Sequence, residues 1–311
     1  MKGQVTIIMY HYVRDLKRSR YPEIKGLETA DFLKQIEFIQ KHYTIISAEE
    51  VIAATEDKAE LPPNAIWLTF DDGYLDHYTQ VFPILDERGI QGSFFIPAKA
   101  VLEGKMLDVN KIHFILASVT DKQKIVNHIF SVLDEKRESN GSKTNQEYFE
   151  EAQDGNRFDT REVIFIKNML QKKLPPVLRE KIIDTLFKKY VSADEKTFAG
   201  ELYMSLAQIL CMKRRGMFIG SHSYDHLWMD TLTPAAQEDE IRRSLEFLGQ
   251  AGADLERWVM CYPYGAYNDS LLAVLKKKRC KIGLGSEARI ADLARDSALA
   301  LPRLDTNDLP K

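Results

Sequence analysis

The sequence has few cysteines, no marked excess of charge of one sign and no long apolar run. Its three cysteines, Cys211, Cys261 and Cys280, are too few and too scattered for a disulfide framework, and their odd number suits a reducing compartment. The net charge of −3, with acidic and basic residues interspersed, offers no basic surface to a nucleic acid. No apolar stretch approaches the ~20 residues of a membrane span, and the first five residues do not resemble a signal peptide. These absences predict a cytoplasmic protein with no nucleic-acid partner and no membrane span.

The sequence also lacks a GxGxxG motif, a P-loop and any internal repeat. Without the glycine-rich motifs, a nucleotide-binding open sheet is disfavoured. With 311 residues, of which 44% are hydrophobic, the chain is long enough to bury a full core. We therefore expect one domain over residues 1–311.

Short β-rich or apolar runs alternate with helical patterns up to residue 100 and again after residue 216. This alternation is typical of a parallel sheet whose strands are connected by helices. Between residues 101 and 216 only helical patterns and polar loops occur, which predicts a helical insertion. The predicted fold is α/β, an irregular (β/α)7–8 barrel with this insertion. The expected strands are residues 5–13, 43–47, 92–98, 217–221, 258–262, 280–284 and 299–304, together with the run that begins at Ala65.

The run that begins at Ala65 ends in two adjacent carboxylates, Asp71 and Asp72, followed by Gly73. Parallel-sheet enzymes place their chemistry where strands end and loops begin. The two like charges repel each other, and a nearby apolar interior disfavours both, so a cation would relieve the conflict. The motif therefore predicts a metal ligand or a tuned acid–base pair, against the simpler alternative of a turn with a capping acid.

A second motif, with His222 and His226, follows another predicted strand. If this turn is helical, the two imidazoles lie on one face and can bind one metal ion. Two histidines at this spacing are, by themselves, more often surface or hydrogen-bonded polar residues. With one carboxylate from Asp71 and Asp72 they form a set that suits Zn²⁺ with an open position for water, and Co²⁺, Ni²⁺ or Mn²⁺ suit the same ligands.

The two motifs, TFDDG at residues 69–73 and HSYDH at residues 222–226, resemble the first two motifs of the NodB-homology polysaccharide deacetylases, carbohydrate esterase family 4. YPYG at residues 262–265 is similar to the end of the third motif of that family. The resemblance covers residues 1–100 and the segment from residue 217 to about residue 270. It implies an irregular (β/α) barrel that removes N- or O-acyl groups, usually acetyl, from sugars.

The resemblance also implies roles for individual residues. Asp72, His222 and His226 would bind the metal, and Asp71 would be the general base that deprotonates the attacking water. The backbone N–H of Tyr264 would help to hold the oxyanion. This agrees with the chemistry of amide cleavage, which needs an activated water, a stabilised oxyanion and a proton for the leaving amine.

The sequence departs from the family in the arginine that pairs with the catalytic aspartate. The third motif lacks it, and the nearest arginine, Arg257, precedes the predicted strand instead of following it. We predict that Arg303, at the end of the last predicted strand, reaches Asp71 and keeps it ionised. The alternative is that Arg303 is a surface residue near the C-terminus.

The histidine that acts as general acid in the family is also missing, because no histidine follows His226. Two substitutes are predicted. His113 opens the insertion shortly after a strand end, and His11 ends the first predicted strand. For either residue the alternative is a purely structural role.

Residues beside these motifs are candidates for sugar binding. Tyr74, Trp228 and Tyr264 are predicted to stack on a sugar ring, and Pro263 and His11 to line the same pocket. The alternative for the aromatic residues is ordinary packing.

The leading hypothesis is a metal-dependent N-deacetylase in surface-glycan biosynthesis. Its expected substrate is an acetamido sugar, a nucleotide- or lipid-linked sugar, or an oligosaccharide. One alternative is a hydrolase of another non-peptide C–N bond, such as a formamide or a cyclic amide. The other is a carbohydrate-binding relative without catalytic activity. The sequence leaves the oligomeric state open.

Overall fold

The computed structural model describes residues 3–56, 58–135, 143–152 and 159–310. They form two compact units. The barrel unit comprises Met1–Lys17, Lys25–Lys105 and Ala199–Lys311, and the helical unit comprises Arg18–Ile24 and Met106–Phe198.

A curled, mostly parallel sheet is the centre of the barrel unit. The described strands are β1 Gln4–Tyr10, β2 Thr44–Ile45, β3 Ala65–Asp71, β4 Ser93–Ile96, β5 Phe218–Ser221, β6 Val259–Cys261, β7 Ile282–Leu284, β8 Ala291–Asp292 and β9 Leu304–Asp305. They pair in the order β7-β6-β5-β4-β3-β1-β8, with β2 on β3 and β9 on β1. Only β8 runs antiparallel to its neighbour. The predicted α/β barrel fold is confirmed.

Helices connect most of these strands. The described α-helices are α1 Thr29–His42, α2 Ala48–Thr55, α3 Phe82–Glu87, α4 Ala98–Glu103, α5 Asp108–Ser118, α6 Gln123–Glu135, α7 Asn145–Glu150, α8 Arg161–Asn168, α9 Pro176–Tyr190, α10 Glu195–Leu202, α11 Leu206–Arg214, α12 Pro234–Gln250 and α13 Asp269–Lys277. α2 starts with a capping box, in which Ser47 and Glu50 satisfy each other's backbone N–H groups. No helix in the described part of the chain is both long and apolar enough to cross a membrane.

Strand side chains alternate between the two faces of the curled sheet. Ala65 and Trp67 of β3 pack on the inner face, in one core cluster with residues of the other strands. Ile66, Leu68 and Phe70 pack on the outer face, in a cluster that includes helix residues. All of β3 is buried, as expected for a central strand of a parallel sheet covered on both faces.

The segment from Ala298 to Asp305 connects the two ends of the curled sheet. Leu301 forms a parallel bridge with Leu284 of β7, and its N–H donates to the Gly283 carbonyl at 2.8 Å. β9 then pairs with β1 on the other side. A single strand was predicted over residues 299–304. That prediction was wrong in its limits, because the segment leaves β7 after a few contacts and is a strand only at Leu304–Asp305. β8 was not predicted.

This closing segment should make Gly283 intolerant of a side chain. A Cβ at this position would overlap the Leu299 carbonyl oxygen and the Tyr262 hydroxyl. Gly283→Ala is therefore expected to lower the free energy of unfolding by about 1–3 kcal/mol, the usual cost of overpacking. Urea unfolding measures this change. Gly200→Ala is the control, because nothing lies within 4 Å of the added Cβ and alanine favours the helix; an equal loss there would contradict the packing argument.

The helical unit contains its own core. Phe198 packs edge to face against both Phe114 of α5 and Phe187 of α9. The buried Lys111 forms an ion pair with Asp184, in which Nζ lies 2.7 Å from Oδ1. The insertion predicted over residues 101–216 contains the Met106–Phe198 segment of this unit, whereas α11 belongs to the barrel unit. The domain limits drawn from the sequence stay a prediction.

Candidate active site

The ends of the parallel strands bring several polar residues to one region of the inner face. Asp71 is the last residue of β3 and Cys261 the last residue of β6. His222 follows β5, and His11 follows β1. Side chains alternate between the two faces along a strand. Each of these four residues lies two or four positions after an inward-facing residue of its strand, so its side chain also points into the barrel. Since Tyr10 pairs with Phe70, the next positions, His11 and Asp71, are also neighbours.

Asp72, His222 and His226 form a buried group that is suited to a metal ion. Oδ1 of Asp72 lies 3.4 Å from Nε2 of His222 and 3.3 Å from Nε2 of His226. Their ligand atoms all lie within 4.8 Å of one another. Among the described residues, Asp72 Oδ1 has no hydrogen-bond partner although it is buried. A buried acceptor without a donor is costly, and a cation between these three atoms would satisfy it.

The tautomer of His222 fits the same conclusion. Its Nδ1 lies 2.8 Å from the Cys261 carbonyl oxygen, which can only accept, so Nδ1 carries the proton. When the ring is neutral, the lone pair of Nε2 therefore faces Asp72, as a metal-binding imidazole requires. Burial alone would raise the pKa of Asp72, but its contacts with His222 and His226 lower it well below its usual range. The carboxylate is therefore ionised.

The two histidines lie on a loop, and the helical turn considered from the sequence is wrong. Ser223 and His226 have left-handed φ angles of 61° and 54°, which no α-helix allows. The carboxylate of Glu240 in α12 accepts from the N–H groups of Tyr224 and Asp225 at 3.0 Å each. These bonds fix the conformation of the loop. The loop, and not a helical i, i+4 spacing, brings both imidazoles to Asp72.

Arg303 and Asp71 form a bidentate ion pair inside the barrel. Nη1 of Arg303 donates to Oδ1 at 3.0 Å and Nη2 to Oδ2 at 2.8 Å. Arg303 is only 2% exposed, and it also donates to the Gly285 carbonyl and to Thr69. Burial would raise the pKa of Asp71, but the Arg303 charge outweighs it and the pKa falls to about 2. The alternative of a surface arginine is thereby excluded.

Asp71, His222 and Cys261 form a second group whose ligand atoms are close enough to share a metal ion. Both oxygens of Asp71 already accept from Arg303. A cation at this point would face the guanidinium charge directly. The group of Asp72 with the two histidines is therefore the better candidate.

His11 is the histidine of this region that solvent can reach. Its Nε2 lies 4.0 Å from Asp71 Oδ2, and its side chain is 39% exposed. Nε2 of the buried His77 lies 2.8 Å from the His11 backbone carbonyl oxygen. Burial lowers the pKa of His77 to about 4, so the ring is neutral and its Nε2–H donates to that carbonyl. His113 lies in α5 of the helical unit, and its predicted role stays a prediction.

Sequence reasoning assigned no role to Cys261 or His77. The Sγ of Cys261 lies 3.4 Å from Asp71 Oδ2. Its position near the end of the predicted strand 258–262, two residues after the inward-facing Val259, was a usable signal. His77 had no such signal, because it lies in a π-helical turn, His77–Val81, whose residue spacing differs from that of an α-helix.

The structure corrects the expectation that Tyr74 stacks on a sugar. Tyr74 is fully buried, and its hydroxyl donates to Asp72 Oδ2 at 2.5 Å. Trp228 and Tyr264 stack on each other, with centroids 4.3 Å apart and an angle of 5° between the rings, so one face of each is covered. The buried Pro263 starts the short turn in which Tyr264 has a left-handed φ of 58°. Sugar binding by these last three residues stays a prediction.

The fold and the site together define a (β/α)-barrel protein with a buried carboxylate–imidazole group that fits a metal ion. The sequence profile of the polysaccharide deacetylase family matches residues 58–146 and 173–282, more than half of the chain. The chain therefore belongs to the polysaccharide deacetylase family.

Known proteins resemble the chain to different extents. It is 25% identical over 101 residues to YxkH of Bacillus subtilis (strain 168), which is named as a polysaccharide deacetylase; the match covers 32% of this chain and 34% of YxkH. The deacetylase PplD of Streptococcus pyogenes, solved in complex with acetate, superposes with a TM-score of 0.57 at 18% identity, over 98% of this chain and 93% of that one. The BpsB deacetylase domain of Bordetella bronchiseptica gives 0.57 at 17% identity, over 97% and 95%. The two structural likenesses concern the fold.

Proposed function

We propose that this chain is a metal-dependent N-deacetylase that hydrolyses the acetamido group of a sugar or sugar-derived intermediate. The observation that carries the proposal is the group of Asp72, His222 and His226 directly beside Asp71, which Arg303 holds ionised. Membership of the polysaccharide deacetylase family supports it. The acetate in the PplD structure is the product that such a reaction would release. Zn²⁺ is the proposed ion because imidazole and carboxylate ligands suit it.

The proposed reaction adds water across the C–N bond and gives acetate and a free amine. When bound, the metal ion would lower the pKa of water to about 7 and polarise the acetyl carbonyl. Asp71 accepts the proton of the attacking water. With a pKa of about 2 it is a weak base in the free protein, but its bidentate contact with Arg303 fixes its direction. The backbone N–H of Tyr264 donates to the developing oxyanion.

His11 is proposed as the acid that protonates the leaving amine. Its side chain is partly exposed, so a substrate can reach it, and it lies beside the proposed base. The bond from His77 to its carbonyl fixes the backbone from which the imidazole extends. A nucleotide-linked, lipid-linked or oligomeric acetamido sugar of surface-glycan biosynthesis is the proposed substrate. The cytoplasmic location stays a prediction.

Acetate release from a panel of acetamido sugars tests the proposal. Zinc-loaded protein is expected to release acetate, chelator-treated protein to release none, and added Zn²⁺ to restore the activity. His222→Ala and His226→Ala are expected to remain at background with Zn²⁺ present. The proposal is wrong if the loaded protein is inactive on the whole panel, or if the chelated protein is equally active. Turnover of a formamide or cyclic amide alone would favour the alternative hydrolase hypothesis.

The acid role of His11 gives a separate prediction. His11→Asn is expected to slow deacetylation of an acetamido sugar by about 10²–10⁴-fold, the usual range for a general acid. Hydrolysis of 4-nitrophenyl acetate should fall far less, because its leaving group needs no proton. Steady-state rates on both substrates measure the difference. The exposed His42→Asn is the matched control, and an equal loss of both reactions in His11→Asn would argue against an acid.

A further inference from the structure

The two carboxylate oxygens of Asp72 face different partners. Oδ1 faces the Nε2 atoms of His222 and His226 at 3.4 and 3.3 Å. Oδ2 accepts a hydrogen bond from the Tyr74 hydroxyl at 2.5 Å. The carboxylate is therefore fixed in one orientation, with a single oxygen directed at the two imidazoles.

Tyr74 is itself held by two further tyrosines. The Tyr12 ring stacks on it, with centroids 4.0 Å apart and an angle of 17° between the planes, and the two hydroxyl groups are hydrogen-bonded. Tyr203 lies parallel to Tyr74 at 6.3 Å. A phenol has one O–H donor, and Tyr74 uses its own toward Asp72, so Tyr12 must be the donor to Tyr74. The bonds therefore run in one direction, from Tyr12 through Tyr74 to Asp72.

A carboxylate without such a donor can rotate and offer either oxygen, or both, to a cation. A donor on one oxygen removes this freedom before any ion binds. Groups that hydrogen-bond to metal ligands commonly set metal affinity by one or two orders of magnitude. None of the three tyrosines is more than 4% exposed, so no solvent competes for the bond to Asp72.

We propose that Tyr12 and Tyr74 are positioning residues that fix Asp72 as a one-oxygen ligand and thereby set the affinity of the site for its metal ion. The proposal rests on the metal site of the proposed function. It concerns binding of the ion alone and requires no substrate.

The test is the dissociation constant for Zn²⁺ of metal-free protein, measured by competition with a chromophoric chelator. Tyr74→Phe, which keeps the ring, is expected to weaken binding by about 10–100-fold. Tyr12→Phe should weaken it in the same direction but less, because Tyr74 can still donate. Tyr10→Phe is the matched control. Tyr10 is equally buried, but its hydroxyl has no hydrogen-bond partner within the described ranges, so its removal should leave the constant within twofold.

Unfolding of the metal-free variants in urea shows whether each one is folded before zinc is added. Zinc affinity of Tyr74→Phe within twofold of the wild type would overturn the proposal, as would an equal loss in Tyr10→Phe. If the wild type does not bind Zn²⁺, the proposed metal site fails as well. If the wild type binds Zn²⁺ and Tyr74→Phe binds it equally well, only the role of the tyrosines fails.

Discussion

Asp71→Asn is expected to reduce acetate release by about 10²–10⁴-fold, because an amide cannot accept the proton of the attacking water. The neighbouring Asp72 cannot take over this function, since its oxygens face the two histidines and Tyr74. Zinc affinity should stay close to that of the wild type, because Asp71 is not one of the three proposed ligands. Initial rates of acetate release and the dissociation constant for Zn²⁺ measure the two effects.

Asp71→Asn leaves Arg303 buried without its anionic partner, so its unfolding must be measured beside its activity. Asp71→Glu keeps the charge and moves it by one methylene group, and it should fold with Arg303 still paired. We expect Asp71→Glu to remain well below the wild type in activity, because the base is displaced. Folded, zinc-loaded Asp71→Asn with wild-type activity would show that Asp71 is not the base.

Arg303→Met is expected to lower the free energy of unfolding by about 3–5 kcal/mol, because it leaves Asp71 buried as an unpaired charge. Arg303 also donates to the Gly285 carbonyl at 2.9 Å, beside the contacts between β7 and the closing segment. Its loss therefore removes a contact at the point where the sheet closes. Urea unfolding of metal-free protein measures the change.

The pairing itself is measured by the double variant Asp71→Asn with Arg303→Met. Because the two residues contact each other, the double variant should lose clearly less stability than the sum of the two single variants. Arg279→Met removes an arginine whose pair with Glu256 is at the surface, with both side chains 75% exposed, and it should have little effect. Strict additivity of the two buried substitutions would contradict the ion pair.

The pairing of Asp71 with Arg303 was accessible to sequence reasoning only in part. Arg303 was identified because the expected third-motif arginine was absent and an arginine lies near the end of a later strand-like run, residues 299–304. That run is mostly not a strand. Arg303 reaches Asp71 because the segment before it crosses from β7 to β1, and contacts distant in the sequence determine that path.

The roles of the tyrosines show where local patterns were insufficient. Tyr74 follows Gly73 in the motif, and an aromatic residue there was equally compatible with a pocket wall and with a core position. Its burial depends on Tyr12 and Tyr203, which lie far from it in the sequence. The loop of His222 and His226 is similar, since the left-handed φ angles that shape it leave no signature in residue spacing.

The sequence by itself determined the α/β class and the strand ends at which polar residues collect, and its resemblance to the polysaccharide deacetylases singled out the three residues that group around one metal position. Apolar runs and the alternation of strands with helices are local properties, so they can be recognised without knowledge of the fold. The tertiary structure alone decided which oxygen of Asp72 faces the histidines, how Tyr74 is used and how Arg303 enters the barrel. These depend on side-chain direction and on contacts between distant segments, which become defined only when the sheet closes.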